Sequence, residues 1–350
     1  MHEPTCVWPV AAALGEGPLW SPAGGALWFV DIKGRTIHRY HLKTEDKKSF
    51  PVPEQVGFVA LHAHDGRLVA GLQSGLHLFD PVEGTLDKLA DVEADDPGNR
   101  INDGHTDHGG RLWFGTMDDA IGRRSGALYS WDGMRCMRHE GGFGITNGPC
   151  ASPDGRTFYL TDTLDRTIYA YDLSPDGVLS NKRPLLVMEE GAGNPDGTIV
   201  DAAGDLWVAL WGGSCVRRYS PNGELRQQVD LPAPNVTKLA LGGPDLRTAF
   251  VTTARGDMDE AALAERPLAG GLFAFRVETP GMPAQPARAG DGGAKMSEEE
   301  KTPPKEAAAP TPTAGEDTRR RFRQGVGVGI GSAAIVAALL YARKGKGTKD

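Results

Sequence analysis

The chain has 350 residues, enough for one large domain or two ordinary ones. Its formal net charge of −8 and its isoelectric point of about 5.6 provide no basic surface for a nucleic acid, so we expect none as a partner. Its four cysteines are widely spaced and form no CxxC pair, which argues against a disulfide framework and a zinc knuckle.

A short apolar phrase returns six times between residues 1 and 277. In each copy a small polar turn, often Asp-Gly or Gly-Gly, precedes an apolar strand, and successive copies are 41 to 48 residues apart. β-structure with a period of about 40–50 residues is typical of propeller blades. The sequence therefore predicts an all-β, six-bladed β-propeller over residues 1–277. The strand cores are Leu27-Trp28, Leu68-Val69, Leu112-Trp113, Phe158-Tyr159, Leu206-Trp207 and Ala249-Phe250.

Both ends of this region carry further predictions. Closure of the ring removes free sheet edges, so the segment Pro4–Val10 is expected to complete the blade that ends at Gly271–Phe275. The acidic run Met258–Arg266 predicts a turn or two of helix. The N-terminus has neither a basic region nor a long apolar run, which predicts no signal peptide and a cytoplasmic propeller with reduced thiols.

Tryptophans recur at equivalent positions of three repeats. Trp28, Trp113 and Trp207 each belong to one of the strand cores. Large aromatic side chains at such positions are expected to pack between neighbouring blades and to take no part in ligand binding.

The composition changes sharply at Glu278. Residues 278–324 are rich in Pro, Ala and Glu and end in a basic run, which predicts a disordered linker. Residues 325–342 carry no charge and would span roughly 27 Å as a helix, so we predict a C-terminal transmembrane helix followed by a basic tail, 343–350. The sequence thus predicts that the protein contacts a membrane through this tail. The alternatives are a Gly-rich tail that does not insert, or a separate segment fused near Met296.

Polar residues stand at the starts of several repeats. They are Glu16, the run Arg100, Asn102 and Asp103, then Asn147 and Asp196. Each precedes an apolar strand core by about ten residues, so ring closure should aim them at a common axis. Taken singly, Asn147-Gly148 and Asp196-Gly197 are also ordinary turn dipeptides. The second and sixth repeats show no comparable residue.

Glu, Asn and Asp side chains offer oxygen ligands. Such a set suits one hard divalent cation, Ca²⁺, Mg²⁺ or Mn²⁺, with Zn²⁺ as a further candidate. Three protein ligands would leave positions open for water and substrate. The histidines of His62-Ala63-His64 and His105-Thr106-Asp107-His108 have metal-like spacing, but structural roles are favoured for them. The chain has no Gly-x-Ser-x-Gly motif and no Walker loop.

Over residues 6–277 the sequence resembles the gluconolactonase/regucalcin-like family (senescence marker protein, luciferin-regenerating-enzyme-like), whose members are six-bladed propellers. The resemblance implies one divalent cation bound by Glu16, Asn147 and Asp196, with Asp196 also the general base. It implies substrate contacts from Arg100 and Asn102. The motifs that carry it are Leu14–Trp20, Phe29–Ile32, Arg100–Asp107 with Gly110–Met117, Asn147-Gly148, Pro195–Gly197 with Asp205–Ala209, and Val251–Arg255.

One position departs from the family pattern. Some members place a substrate-contacting Glu three residues after the Met of Gly-Thr-Met, where this chain has Ala120, and Asp119 is the expected substitute one residue earlier. The predicted function is metal-dependent hydrolysis of a sugar lactone. The alternatives are a phosphotriesterase-like or other ester hydrolase on the same fold, and a non-catalytic calcium-binding propeller. The sequence does not specify the lactone, the metal or the oligomeric state.

Overall fold

Antiparallel strands dominate the part of the chain that the computed structural model describes, residues 3–63 and 66–288. One short helix, α1 (Glu260–Glu265), lies between the last two strands of this part. The first strands in chain order are β1 (Thr5–Trp8), β2 (Gly15–Ser21), β3 (Ala26–Asp31), β4 (Thr36–His41), β5 (Lys47–Pro51), β6 (Val56–Leu61), β7 (Leu68–Leu72), β8 (Gly75–Asp80), β9 (Thr85–Asp91), β10 (Asn99–Thr106), β11 (Leu112–Asp118) and β12 (Gly126–Trp131). The remaining strands are β13 (Cys136–Phe143), β14 (Thr146–Ala151), β15 (Thr157–Asp162), β16 (Thr167–Leu173), β17 (Leu179–Val187), β18 (Asn194–Val200), β19 (Leu206–Trp211), β20 (Cys215–Tyr219), β21 (Leu225–Asp230), β22 (Asn235–Gly242), β23 (Thr248–Ala254) and β24 (Leu272–Arg276).

The strands form small sheets in chain order. Four sheets have four strands each: β2–β5, β6–β9, β10–β13 and β14–β17. The other eight described strands form one sheet, in which the single pair Trp211–Asn235 joins β18–β21 to β22–β24 and β1. The prediction of an all-β, propeller-like fold is confirmed. Counted by hydrogen bonding, the described strands form five sheets, so the predicted count of six depends on treating the two halves of the large sheet as separate blades.

The N-terminal strand closes the ring. β1 pairs with β24, with Thr5 opposite Ala274 and Cys6 opposite Phe273, as predicted for this segment. Helix α1 is confirmed as well, and the Asp259 side chain caps it by accepting a hydrogen bond from the Ala262 amide.

Position within each sheet determines strand composition. The second strands, such as β3 and β11, are buried along their whole length because other sheets cover both faces. They therefore consist largely of apolar residues. The outermost strands, such as β5 and β17, are exposed and carry lysines, an arginine and prolines. Charge and proline on an edge strand prevent pairing with another chain.

Apolar clusters fill the space between consecutive sheets. The Trp28 ring lies against Phe79 of the next sheet, with centroids 6.4 Å apart, and Trp113 packs on Phe158 at 4.7 Å. Trp207 lies in the cluster that includes Phe275. The predicted packing role of the three tryptophans is confirmed, and replacing one by alanine should cost about 3–5 kcal/mol.

The first strand of each repeat, here called an inner strand, lines a central channel. The inner strands β2, β6, β10, β14, β18 and β22 contact one another in that order, and β22 contacts β2. Each inner strand has a register irregularity against its partner near its beginning. Such bulges turn consecutive side chains away from the regular alternation. We call the end of the channel where these strands begin the site end, and the other the far end.

The segment 278–288 crosses the far end of the channel. Gly281 N donates to the Leu246 carbonyl, and Ala287 N donates to the Leu61 carbonyl on the other side of the ring. The Ala287 side chain is fully buried, and Arg288 N donates to Gly110 O. The predicted linker therefore begins too early, because these residues bond to the turns of four inner strands. The structure describes this ordered segment as far as Arg288.

The membrane predictions are corrected. Within the described ranges 3–63 and 66–288, no helix is long and apolar enough to cross a bilayer. Helix α1 has 6 residues, which span about 9 Å of a hydrocarbon core about 30 Å thick. The predicted span 325–342, the linker beyond residue 288 and the tail 343–350 lie outside the described residues. We therefore withdraw the transmembrane helix, the membrane contact and the membrane-anchored cytoplasmic location.

Candidate functional site

The predicted site residues lie at the site end of four inner strands. Glu16 is on β2, Arg100 and Asn102 are on β10, Asn147 is on β14 and Asp196 is on β18. All five are buried, with at most 7 % of the residue's surface exposed. Each lies at or next to the register irregularity of its strand, so the local bulge and the ring closure bring them together.

A row of hydrogen bonds connects the predicted substrate residues to a predicted metal ligand. Arg100 Nε donates to Asp119 Oδ1 at 2.7 Å, and Arg100 Nη1 donates to Asn102 Oδ1 at 2.6 Å. Asn102 Nδ2 in turn donates to Asn147 Oδ1 at 2.8 Å. Asn147 Nδ2 donates to Thr163 Oγ1, which donates to the Pro195 carbonyl next to Asp196. The orientation of each side chain in this row therefore depends on the side chain to which it is hydrogen-bonded.

Two carboxyl groups on β2 and β18 interact electrostatically. Burial and the Asp103 carboxylate raise the pKa of Glu16 to about 8. Burial and the neighbouring Glu16 raise the pKa of Asp196 well above its usual range. Burial is the largest cause of each shift, and a neighbouring carboxylate adds to it, because buried like charges disfavour ionisation of each other. A cation between them would remove that penalty.

The charge balance of the site tests whether a cation fits. Among the described residues Arg100 pairs with Asp119, and Lys238 pairs with Asp103. No ion pair to a lysine, arginine or histidine satisfies Glu16 or Asp196 in the same part of the chain. Two unpaired buried carboxylates and the amide oxygen of Asn147 form a hard donor set with a formal charge of −2. The residues present therefore fit one divalent cation.

Asp119 lies at the mouth of the site and is 27 % exposed. Besides the Arg100 bond, it accepts hydrogen bonds from Lys33 Nζ at 2.6 Å and Gln55 Nε2 at 3.0 Å. Burial alone would raise its pKa, but the Lys33 and Gln55 hydrogen bonds and the Arg100 charge hold it at about 2. Asp119 is thus ionised next to Arg100. It provides a carboxylate one residue before Ala120, the position at which the sequence departs from the family pattern.

Sequence reasoning left two residues of this region without a role. Asp103 on β10 and Lys238 on β22 form a buried ion pair at 2.5 Å. Lys238 is buried and comes from the sixth repeat, for which no site residue was predicted. The available signal was a lysine inside the mostly apolar run Val236–Leu241. Asp103 was named among the candidate polar residues, whereas Lys238, Lys33, Gln55 and Thr163 were missed. Nothing in the local sequence of Lys33, Gln55 and Thr163 distinguishes them from loop residues.

The histidines do not form a metal centre in the described part of the chain. No three His, Cys, Asp or Glu side chains of residues 3–63 and 66–288 are grouped as a metal site. The predicted ligand set has only two such residues, since its third member is an asparagine. Burial, together with the Lys238 charge, lowers the pKa of His105 to about 4, so this ring is neutral near pH 7. His64 lies outside the described residues.

Fold and site together define a class: an all-β, propeller-like protein with a buried, oxygen-rich centre at one end of its channel. Two curated relatives share 35% identity with the chain. One, 6-deoxy-6-sulfogluconolactonase of Pseudomonas putida, aligns over 81% of this chain and 98% of its own length. The other, L-arabinolactonase of Azospirillum brasilense, aligns over 77% of this chain and 90% of its own length.

A solved structure and a family profile agree with these relatives. The crystal structure of a calcium-binding protein, regucalcin from Agrobacterium tumefaciens, superposes with a TM-score of 0.78 at 31% identity, covering 81% of this chain and 96% of that one. The SMP-30/Gluconolactonase/LRE-like region matches residues 14–255. The chain belongs to this family, as the motifs predicted. The predicted enzyme class, a hydrolase of cyclic esters, is confirmed at the level of the family by the names of the lactonase relatives.

Proposed function

We propose that this protein hydrolyses a sugar lactone with the help of one divalent cation, at the site end of a six-bladed propeller. In this interpretation the two halves of the eight-stranded sheet are separate blades, joined by the single pair Trp211–Asn235. One observation carries the proposal. The hydrogen-bonded row Arg100–Asn102–Asn147 meets two buried, unpaired carboxyl groups, Glu16 and Asp196, in one place.

Glu16, Asn147 and Asp196 would hold the cation, which would be Ca²⁺, Mg²⁺, Mn²⁺ or Zn²⁺. When bound, such a cation supplies Lewis-acid polarisation of the lactone carbonyl and balances the charge that develops on its oxygen. The regucalcin relative is described as a calcium-binding protein, which supports a divalent cation here without identifying it.

Asp196 is proposed as the residue that moves the proton. Its carboxylate accepts a proton from the water that attacks the carbonyl carbon, and a C–O bond forms. The ring C–O bond then breaks, and the same proton is returned to the ring oxygen, which leaves as a hydroxyl group. Lys238 acts to lower the pKa of Asp196 and thereby favours the carboxylate form that this role needs.

Arg100, Asn102 and Asp119 are proposed to bind the hydroxyl groups of the sugar. Arg100 and Asn102 are buried donors, and Asp119 is an ionised acceptor at the mouth. A donor and acceptor set of this kind suits a polyhydroxylated ring. The lactones in the names of the two relatives are also derived from sugars.

The test measures the hydrolysis of a panel of aldonolactones, aryl esters and organophosphates. Turnover is measured after divalent cations have been removed with a chelator, and again after each cation has been added back. We expect lactone turnover that disappears on chelation and returns with at least one cation. Asp196→Asn should lower turnover by about a thousandfold, because it removes both the proton acceptor and a ligand charge. Asp172→Asn on the exposed face of β16 is the matched control and should have no effect.

Each other outcome assigns a different function. Preferred turnover of organophosphates or aryl esters would favour another ester hydrolase. Cation binding without turnover of any ester would favour a non-catalytic calcium-binding propeller. Full lactone turnover by Asp196→Asn with the cation present would contradict the role of Asp196.

A further inference from the structure

Two charged side chains from opposite inner strands meet inside the channel. Asp103 is on β10 and Lys238 is on β22, and these strands are three steps apart in the ring of six inner strands. Their side chains are 1% and 7% exposed, and Lys238 Nζ is 2.5 Å from Asp103 Oδ1. An ion pair that spans the channel is thus enclosed just below the candidate cation ligands.

The pair contacts the residues that follow two of the three ligands. Asp103 Oδ2 accepts a hydrogen bond from the Gly148 amide at 2.8 Å, directly after Asn147. Gly148 has a φ of +51°, a conformation that glycine adopts readily and that directs this amide into the channel. The lysine stem covers Gly197, directly after Asp196, where a Cβ would lie 2.4 Å from Lys238 Cγ.

The pair also affects the charge of the centre. With Lys238 present, the negative charge of Asp103 is balanced, so the two carboxyl groups of Glu16 and Asp196, once ionised around a cation, would supply the only unpaired charge of the ligand set, −2. Without the ammonium group the centre would have three uncompensated carboxylates. Without the Asp103 carboxylate the centre would hold an extra positive charge, which would repel a metal ion.

We propose that the Asp103–Lys238 pair is a positioning pair that sets the net charge of the cation centre at −2 and thereby selects a divalent cation. The inference rests on the proposed function, since it requires a cation at Glu16, Asn147 and Asp196. Neither residue touches the reacting atoms. They act through the ligands, by fixed charge and by contact with Gly148 and Gly197.

A purely structural role for the pair makes a different prediction. Removing either partner of a buried ion pair leaves an unpaired charge and destabilises the fold. If structure were all that mattered, both single variants would weaken cation binding in the same direction. The charge-setting role predicts opposite directions for the two variants, and recovery in the double variant.

The experiment measures Ca²⁺, Mn²⁺ and Tb³⁺ binding to the full chain by calorimetry, with no substrate. The variants are Lys238→Met, Asp103→Asn and the double variant. Met keeps the length of the lysine stem over Gly197, and Asn keeps the shape of the aspartate. Lys238→Gln is a second charge-removing variant in case Lys238→Met does not fold.

Lys238→Met and Lys238→Gln should bind Tb³⁺ about tenfold more tightly or better, and Ca²⁺ by a smaller factor, because the attraction grows with ion charge. Asp103→Asn should bind every ion about tenfold more weakly or worse. The double variant restores −2 and should lie within about threefold of the natural protein.

Weaker binding in both single variants, or an unchanged preference between Tb³⁺ and Ca²⁺, would overturn the inference alone. A natural protein that binds no divalent cation would overturn the proposed metal centre, and this inference with it.

Discussion

The two ends of the channel use the same six inner strands in opposite ways. At the site end, each strand begins with a register irregularity, and buried polar side chains face the axis. At the far end, the turns that follow the strands bond through their backbones to the segment 278–288, and the side chain buried there is that of Ala287. One end concentrates unpaired charge, and the other has its polar backbone groups satisfied.

This difference separates function from stability within one architecture. The far end lowers the free energy of the folded state, because its amides and carbonyls are paired and its methyl group is buried. The site end raises that free energy in the absence of a cation, because two carboxyl groups share a buried space. Changes at one end should therefore leave the property of the other end unaltered.

The largest expected effect is on Glu16. Glu16→Gln should weaken divalent-cation binding by about a hundredfold or more and abolish cation-dependent turnover, because one of two ligand charges is lost. The metal-free variant should be at least as stable as the natural protein, since the repulsion with Asp196 disappears. Calorimetric titration and thermal unfolding check both halves, with the exposed Glu224→Gln as control. A Glu16→Gln variant that is less stable but binds the cation normally would contradict this prediction. It would mean that Glu16 at the site end contributes to stability and not to cation binding.

At the far end, Ala287→Asp should lower the free energy of unfolding by about 2–4 kcal/mol, because it buries a carboxyl group in a space filled by a methyl group. Cation affinity should stay within about twofold, which calorimetry can check. The half-buried Ala284→Asp in the same segment is the matched control and should cost less. Equal losses at 284 and 287 would mean that the segment does not seal the channel through Ala287.

The pH dependence of stability should separate the two kinds of buried group. Glu16, with a pKa of about 8 against an ordinary 4.5, binds more protons in the folded state, so its contribution lowers stability as pH rises towards 8. His38 and His105, with pKa values of about 4 against 6.5, bind fewer protons when folded, so their contribution raises stability up to pH 6.5.

Metal-free protein should therefore be most stable near pH 6.5 and lose about 1 kcal/mol or more between pH 6.5 and 8. A bound divalent cation should cancel that loss, because it favours the ionised carboxylates. Urea unfolding at several pH values, with chelator and with Ca²⁺ or Mn²⁺, measures both curves. Identical curves in the two conditions would place the cation away from Glu16.

The smallest expected effect is at the mouth. Asp119→Asn should raise KM for the best lactone by about tenfold and change kcat by less than about threefold, since it weakens contacts to the bound sugar. Cation affinity should not change. Steady-state kinetics over the lactone panel measure this, and Asp257→Asn at the same end is the control. A large fall in kcat with KM unaltered would give Asp119 a part in the chemistry.

Much of the fold could be predicted from local sequence. The recurrence of Leu-Trp and Phe-Tyr strand cores behind Asp-Gly and Gly-Gly turns predicted the small sheets, because short-range turn chemistry and apolar runs specify strand and turn. The pairing of β1 with β24 was predicted because ring closure leaves no sheet edge free. The far end could not be predicted, because 278–288 is proline-rich and its role depends on turns far away in the chain.

The candidate site was predictable only in part. Glu16, Arg100, Asn102, Asn147 and Asp196 stood out because they occur at equivalent points of successive repeats. Lys238 did not, because it contacts Asp103 and Gly197, neither of which is near it in sequence. Asp119 was predicted only because it precedes Ala120 in the sequence. Its hydrogen bonds with Lys33 and Gln55 could be seen only in the structure.

The sequence by itself determined the strands, the turns and the order of the sheets, because these depend on interactions between residues close along the chain. Only the tertiary structure decided which charges meet. Asp103 and Lys238 are 135 residues apart and come together solely because the ring of inner strands closes around a narrow axis. Pairing of buried charges is a long-range property, since it depends on which groups the closed ring leaves without water.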